Sequence, residues 1–156
     1  MNHQRRTFLK STSAAGAIAA AVAAGLLKPT QVLAADWNKS AFTADKAAAA
    51  LTNYGISSPS RSKDVLLNAP DIAENGAVVP VTITSNIPNT EMAFLVVADN
   101  PNPMAASFTF ANGAEGFIST RVKMAKTSYV KAYIKANGKY YFAEKQVKVT
   151  IGGCGG

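Results

Sequence analysis

The feature that most restricts the fold is a pair of alternating segments joined by an Asn-Gly dipeptide near the carboxyl end. Residues Tyr129 to Lys135 alternate apolar and polar side chains, and Asn137-Gly138 supplies the two positive φ angles that a type I′ turn needs. The return segment carries five apolar side chains: Tyr140, Phe142, Val147, Val149 and Ile151. This pattern predicts a β-hairpin whose second strand ends close to the end of the chain.

Earlier segments also indicate strands. The predicted strands are Asp64–Asn68, Gly76–Thr84, Met92–Ala98, Ser107–Ala111 and Gly116–Lys123, with turns at Asp99–Pro103 and Asn112-Gly113. In the second of these, Val79, Val81 and Ile83 share one face, and Pro80 indicates an edge position or a bulge. The continuous apolar run Met92–Ala98 indicates a central strand. About seven strands separated by turns predict a mainly β fold, an immunoglobulin-like antiparallel β-sandwich.

One N-terminal helix is predicted over Asp36 to Tyr54. Thr43 is placed to cap it, and four alanines run from Ala47 to Ala50. Leu51 and Tyr54 continue an apolar stripe from Ala47, and Gly55 is placed to end the helix. Trp37 and Phe42 are expected to pin its start to the sandwich.

Residues 1–34 are predicted to be a twin-arginine signal peptide, since Arg5-Arg6 precede an apolar run, Ala14–Leu27, and a small residue at Ala34. That run is shorter than the roughly 20 residues of a membrane span. An ordinary secretory signal is the alternative. The prediction is a periplasmic protein without a membrane anchor after cleavage. Residues 35–151 would form the helix and the sandwich, and residues 152–156 a mobile arm.

Removing the signal also changes which functions the composition allows. Twelve of the sixteen basic residues and all nine acidic residues remain, so the net charge falls from +7 to +3 and gives no reason to expect nucleic-acid binding. The only histidine, His3, leaves with the signal. Without histidine there is neither a Ser-His-Asp triad nor a Cys/His zinc site. Asp71 and Glu74 are expected to be solvated. We therefore expect no enzyme, no metal and no cofactor.

Six lysines fall mainly on the later strands: Lys123, Lys126, Lys131, Lys135, Lys139 and Lys148. They are expected to form a solvated face that discourages edge-to-edge aggregation. A second role is steering anions or an acidic partner.

The candidate functional residue is Cys154, the only cysteine of the chain. It lies in the final pentapeptide between Gly152-Gly153 and Gly155-Gly156. A glycine-rich terminus has no side chains to hold it in place, so the thiol is expected at the tip of a flexible arm. Such an arm can reach on the order of 10 Å beyond the last strand. A nucleophile with reach, freedom to turn and no neighbouring bulk is suited to a covalent carrier.

The last ten residues, from Val147 to Gly156, resemble the carboxyl terminus of the SoxY family, the sulfur carriers of the bacterial thiosulfate-oxidising Sox system. The twin-arginine segment, the alanine-rich helix and Ile118–Ala125 resemble that family as well. The resemblance implies that Cys154 carries thiosulfate-derived sulfur as a cysteine S-thiosulfonate, with no cofactor of its own.

The same resemblance implies partners. These are a SoxZ-like subunit in a heterodimer, a conjugating c-type cytochrome enzyme, a manganese-containing hydrolase that releases sulfate, and a sulfane dehydrogenase. Three other interpretations remain open from the residues alone. One is a structural or adhesive sandwich that dimerises through Cys154, and another is a redox-sensing thiol. The third is a thiocarboxylate carrier that uses the carboxylate of Gly156, which the export signal disfavours.

Overall fold

The structure is a computed structural model that describes residues 37–111 and 113–150. The predicted signal peptide, with Arg5 and Arg6, lies outside these residues. So do Ile151 and the whole predicted arm with Cys154. The described residues belong to the compact unit that begins at Trp37.

The predicted helix is two helices, which corrects the boundaries and the cap. Helix α1 spans Lys39–Phe42 and helix α2 spans Ala47–Asn53. The Asn38 side chain caps α1 by accepting from the N–H of Ala41. Thr43 ends α1 instead of starting a helix, and its hydroxyl donates to the carbonyl of Lys39. The backbone is then extended at Lys46, which separates the two helices.

Two amide side chains join the helices. The Asn38 amide donates to the carbonyl of Asn53, and the Asn53 amide donates to the carbonyl of Ser40, both at 2.9 Å. Gly55 adopts φ +74°, as expected of a residue that ends a helix.

Nine strands occur in the described residues. Their bounds are β1 Ser60–Arg61, β2 Val65–Asn68, β3 Ile72–Ala73, β4 Val79–Ser85, β5 Thr90–Val97, β6 Met104–Thr109, β7 Phe117–Val122, β8 Ser128–Ala136 and β9 Lys139–Val149. The predicted strands are all present, although β6 begins three residues earlier than expected. Two short strands, β1 and β3, were not predicted.

The strands form two sheets, which confirms the predicted β-sandwich. The larger sheet has the order β1-β9-β8-β5-β6, and the smaller has the order β2-β4-β7. Five of the seven strand pairings among the described residues are antiparallel. The exceptions are the two-residue strands β1 and β3, which both pair with β9 in parallel. Strand β9, which precedes the predicted arm, is therefore bordered by two short segments of the same chain along the edge opposite β8.

The core between the sheets follows from the alternation in the sequence. Val79, Val81 and Ile83 are at most 1 % exposed, and they face residues such as Leu95 and Ile134 of the larger sheet. Pro80 lies on the middle strand of the smaller sheet, but the pairing of β2 with β4 stops at Thr82. Pro80 is therefore paired on one side only, opposite Arg121 of β7, which confirms the predicted edge position.

The helices pack on the outer face of the larger sheet. Phe94 and Val96 point toward them and form a second core with Ala50 and Tyr133. This explains the continuous apolar run of β5, since both faces of that strand are buried. Phe42 contributes to the second core as expected, whereas Trp37 is 64 % exposed.

The predicted hairpin is confirmed in register and in turn type. Strands β8 and β9 pair from Ser128 opposite Val147 to Ala136 opposite Lys139. Asn137 and Gly138 have φ values of 51° and 71°, as a type I′ turn requires. Along β9, Tyr140 and Phe142 face the helices, while Val147 and Val149 face the core between the sheets.

Candidate functional site

The described residue closest to Cys154 along the chain is Thr150, four positions earlier. The predicted site residues Cys154, Gly152, Gly153, Gly155 and Gly156 lie outside the described residues. What the structure describes is the end of β9 and Thr150, the base that precedes them in the chain. We call the residues that hold this base, Asp71, Ala73, Glu74, Thr127 and Thr150, the arm root.

Hydrogen bonds hold the last residues of β9 on one side through the segment around β3. The N–H of Lys148 donates to the carbonyl of Asp71 at 2.9 Å, and the N–H of Thr150 donates to the carbonyl of Ala73 at 3.1 Å. The hydroxyl of Thr150 also donates to the carbonyl of Glu74 at 3.0 Å. The final strand is thus bonded up to the last described residue.

A hydroxyl group holds the other side. The N–H of Val149 donates to Oγ1 of Thr127, in the loop between β7 and β8, at 2.9 Å. Val149 also packs against the core between the sheets. Contacts from two separate segments of the chain therefore fix the positions of Val149 and Thr150.

An ion pair fixes the segment that leads into β3. Nζ of Lys145 lies 3.0 Å from Oδ1 of Asp71 and also donates to the carbonyl of Ala69. Asp71 and Glu74 are exposed, as predicted. Both residues have a positioning role at the arm root. Asp71 acts through its carboxylate and its backbone carbonyl, and Glu74 acts through its backbone carbonyl.

A second charged group lies on the outer face of the larger sheet. Glu144 pairs with Arg61 and with Lys131, whose Nζ is 2.9 Å from its carboxylate. The hydrogen bond with Lys131 lowers the pKa of Glu144 and raises the pKa of Lys131. Lys131 also lies over the ring of Tyr129, 5.9 Å from its centroid. Glu144 and Lys131 therefore stay charged at neutral pH.

The six lysines divide into two groups. Lys123, Lys126, Lys139 and Lys148 are exposed, as predicted. Lys131 and Lys135 are partly covered and form ion pairs with Glu144 and Glu91. Solvation is confirmed for the first group only, and its members do not share a face, since Lys139 and Lys148 are an odd number of residues apart on β9.

Elsewhere the described residues hold few groups for chemistry. A cleft of about 390 Å³ lies at the end of the sandwich where β4 meets β5, and neither a titratable side chain nor a cysteine lines it. Within residues 37–111 and 113–150, no three His, Cys, Asp or Glu side chains are grouped to hold a metal ion. No helix of this part of the chain is long and apolar enough to cross a membrane.

The arm root was missed by sequence reasoning. Thr127 is 22 residues from Val149, and Glu74 is 76 residues from Thr150. Neither residue belongs to a local motif, so no sequence signal links them to the end of β9.

Two comparisons with known proteins point to the same family. The family described as "Sulfur oxidation protein SoxY" matches residues 51–154. The sulfur carrier protein SoxY from Chlorobium limicola f thiosulfatophilum is 38% identical, with a TM-score of 0.59 over 65% of this chain and 92% of that chain. A superoxide reductase (neelaredoxin) from Ignicoccus hospitalis is 21% identical over 55% of this chain and 79% of that chain. Its TM-score is 0.46. No curated protein matches.

Proposed function

This chain belongs to the SoxY family of sulfur oxidation proteins, and on that premise we propose that it is a periplasmic carrier that binds thiosulfate-derived sulfur covalently on Cys154. The sulfur-carrier role follows from the family and from the related sulfur carrier structure. The attachment atom, the compartment and the individual partners are our proposal.

The observation that carries the proposal is the arm root. Thr150 is hydrogen-bonded to Ala73 and Glu74, and Cys154 follows four residues later. At 3.3 to 3.6 Å for each extended residue, the cysteine can lie at most about 14 Å from Thr150. A fixed base and a short glycine-rich extension together suit a thiol that enters the active site of another protein.

The loading step is an oxidation. A thiol of ordinary pKa, near 8.5, is a minor thiolate population at neutral pH, so the conjugating enzyme must favour the thiolate. The Cys154 thiolate forms an S–S bond with the outer sulfur of thiosulfate and yields Cys–S–S–SO3⁻. Two electrons leave in this step, and we propose that a c-type cytochrome enzyme accepts them. The thiol proton passes to solvent.

The release step is a hydrolysis. Water attacks the sulfonate sulfur, the bond between that sulfur and the sulfane sulfur breaks, and sulfate leaves with two protons. Cys154 then keeps one additional sulfur atom as a persulfide. We propose that a manganese-containing hydrolase performs this step and that a sulfane dehydrogenase oxidises the persulfide. In this scheme the chain contributes the thiol and its position, and catalysis belongs to the partner enzymes.

Assembly and export complete the proposal. We propose that a SoxZ-like subunit forms a heterodimer with this chain, because members of the Sox system are the partners that the family implies. The Arg5-Arg6 pair would then direct export of the folded pair through the twin-arginine route.

Intact mass measurement tests the function. Mature protein is purified from the exported fraction of cells growing on thiosulfate, and is weighed before and after reduction, beside a Cys154→Ser variant. We expect wild-type protein to carry additions of one S2O3 group or one sulfur atom that reductant removes, and the variant to carry none. An unmodified thiol, or a disulfide dimer alone, in cells that are oxidising thiosulfate would refute the carrier role and favour dimerisation through Cys154.

A further inference from the structure

Beside the arm root, an exposed strip runs along the outer face of the larger sheet. It consists of Ile72, Tyr129, Gln146 and Lys148, and we call it the docking strip. We propose that the enzyme that loads Cys154 with thiosulfate-derived sulfur binds this strip while the cysteine occupies its active site. The proposal rests on the proposed function and adds to it the surface by which the carrier is recognised.

Strand register places the four residues side by side. Ile72 of β3 is opposite Lys148 of β9, and Gln146 of β9 is opposite Tyr129 of β8. Lys148 and Gln146 lie on the face of β9 that also carries Phe142, which packs toward the helices. The helices cover the other end of this face, over Phe94, Val96 and Tyr133. The strip is the part next to the arm root.

Two of its members are large apolar side chains that water reaches. Ile72 is 57 % exposed and Tyr129 is 44 % exposed. Their backbones are held in paired strands, and Asp71, just before Ile72, is held by Lys145. A partner that covers these side chains gains apolar burial without having to order the backbone that presents them.

Only four residues separate Cys154 from Thr150, so an enzyme that reacts with Cys154 has to come close to the docking strip. An enzyme that reacts with Cys154 must bring its active site within about 14 Å of Thr150. Gln146, the strip residue most distant along β9, is four residues from Thr150, or about 13 Å at the rise of a strand. The whole strip therefore lies within the radius that such an enzyme has to approach.

The charges near the strip indicate the character of the partner surface. Lys148 is exposed and forms no ion pair with any described residue. Next along the same face, Arg61 and Lys131 share the single carboxylate of Glu144. With Lys145, Asp71 and Glu74 of the neighbouring arm root included, cations outnumber carboxylates by four to three. A complementary partner surface has an apolar patch that covers Ile72 and Tyr129, and it has acidic side chains around the entrance to its active site.

A second exposed apolar pair lies outside this radius and offers a matched control. Leu66 and Phe117 are 50 % and 54 % exposed on the outer face of the smaller sheet. Both are opposite Thr84, near the end of β4. Phe117 is five residues from Val122 along β7, which separates it from the arm-root end of the sandwich by about 17 Å.

The test compares two double variants. Strains carry Ile72→Ser with Tyr129→Ser, or Leu66→Ser with Phe117→Ser, and exported protein is sampled over time after thiosulfate is added. The readout is the rate at which intact mass gains S2O3 or sulfur. Removing two apolar anchors from an interface centre is expected to slow loading by about 10-fold or more. The control pair is expected to load at the wild-type rate.

Two further measurements keep the outcomes distinct. Thermal unfolding checks that both double variants are folded, and iodoacetamide alkylation of Cys154 after reduction reports the reactivity of the thiol toward a small molecule. We expect alkylation to be unchanged in both. Equal loading of the three proteins, a parallel loss of alkylation in the strip variant, or slow loading that accompanies loss of the SoxZ-like subunit from that variant, would overturn the docking strip. A wild-type protein that never gains mass would instead overturn the proposed function.

Discussion

Shortening the arm tests the geometric basis of the carrier role. Deletion of Gly152 and Gly153 leaves the hydrogen bonds of Val149 and Thr150 in place. It places the cysteine two residues after Thr150 instead of four. The greatest distance between Thr150 and the cysteine then falls from about 14 Å to about 7 Å.

The expected effect on loading is large. Displacing a reacting group by about 1 Å can cost roughly 100-fold in rate, and the deletion removes several times that distance. We expect thiosulfate-dependent mass addition to slow by at least about 100-fold. Alkylation by iodoacetamide should stay at the wild-type rate, because a small reagent needs no reach.

A control of equal length separates reach from the identity of the glycines. The double variant Gly152→Ala, Gly153→Ala keeps the number of residues, and we expect it to load far faster than the deletion variant. Time courses of intact mass after thiosulfate addition give the rates. Loading of the deletion variant at the wild-type rate would show that the distance from Thr150 does not limit the reaction, and the reach argument would be wrong.

Three predictions concern the scaffold. Ile83→Ala leaves a cavity at a fully buried site in the core between the sheets. It should lower the free energy of unfolding, measured by denaturant titration, by about 2 to 5 kcal/mol. A loss near zero would contradict the assigned core. Gly138→Ala forces a side chain onto φ +71° and should cost about 1 to 2 kcal/mol in the same assay. The hydrogen bond with Lys131 lowers the pKa of Glu144 in the folded protein. The ion pairs of Glu144 therefore stabilise the fold at pH values above its ordinary pKa of 4.5, and this stabilisation is lost as pH falls through the lower folded pKa. The stabilities of wild type and Glu144→Gln should therefore approach each other as pH falls below 4.5 and converge below the lower folded pKa of Glu144, and a difference that stays constant would refute this.

Much of this protein can be predicted from local sequence patterns. The hairpin at Asn137-Gly138 depends on a two-residue turn, and the buried face of Val79, Val81 and Ile83 depends on a period of two. Both depend on neighbours within a few positions, so the sequence alone determines them. The same holds for the composition of the carboxyl terminus, where a single cysteine among glycines indicates a carrier.

Tertiary structure decided the rest. Local propensity predicted one helix, but the side chains of Asn38 and Asn53 bond across two separate helices, which only packing on the sheet brings together. The arm root joins Thr127 to Val149 and Glu74 to Thr150 across 22 and 76 residues. Contacts over such separations depend on how the sheets are connected and stacked, and no local pattern encodes them. The sequence therefore points to Cys154 as the proposed site of sulfur attachment, and the tertiary structure decided how Thr150, four residues earlier, is held and which surface lies beside Thr150.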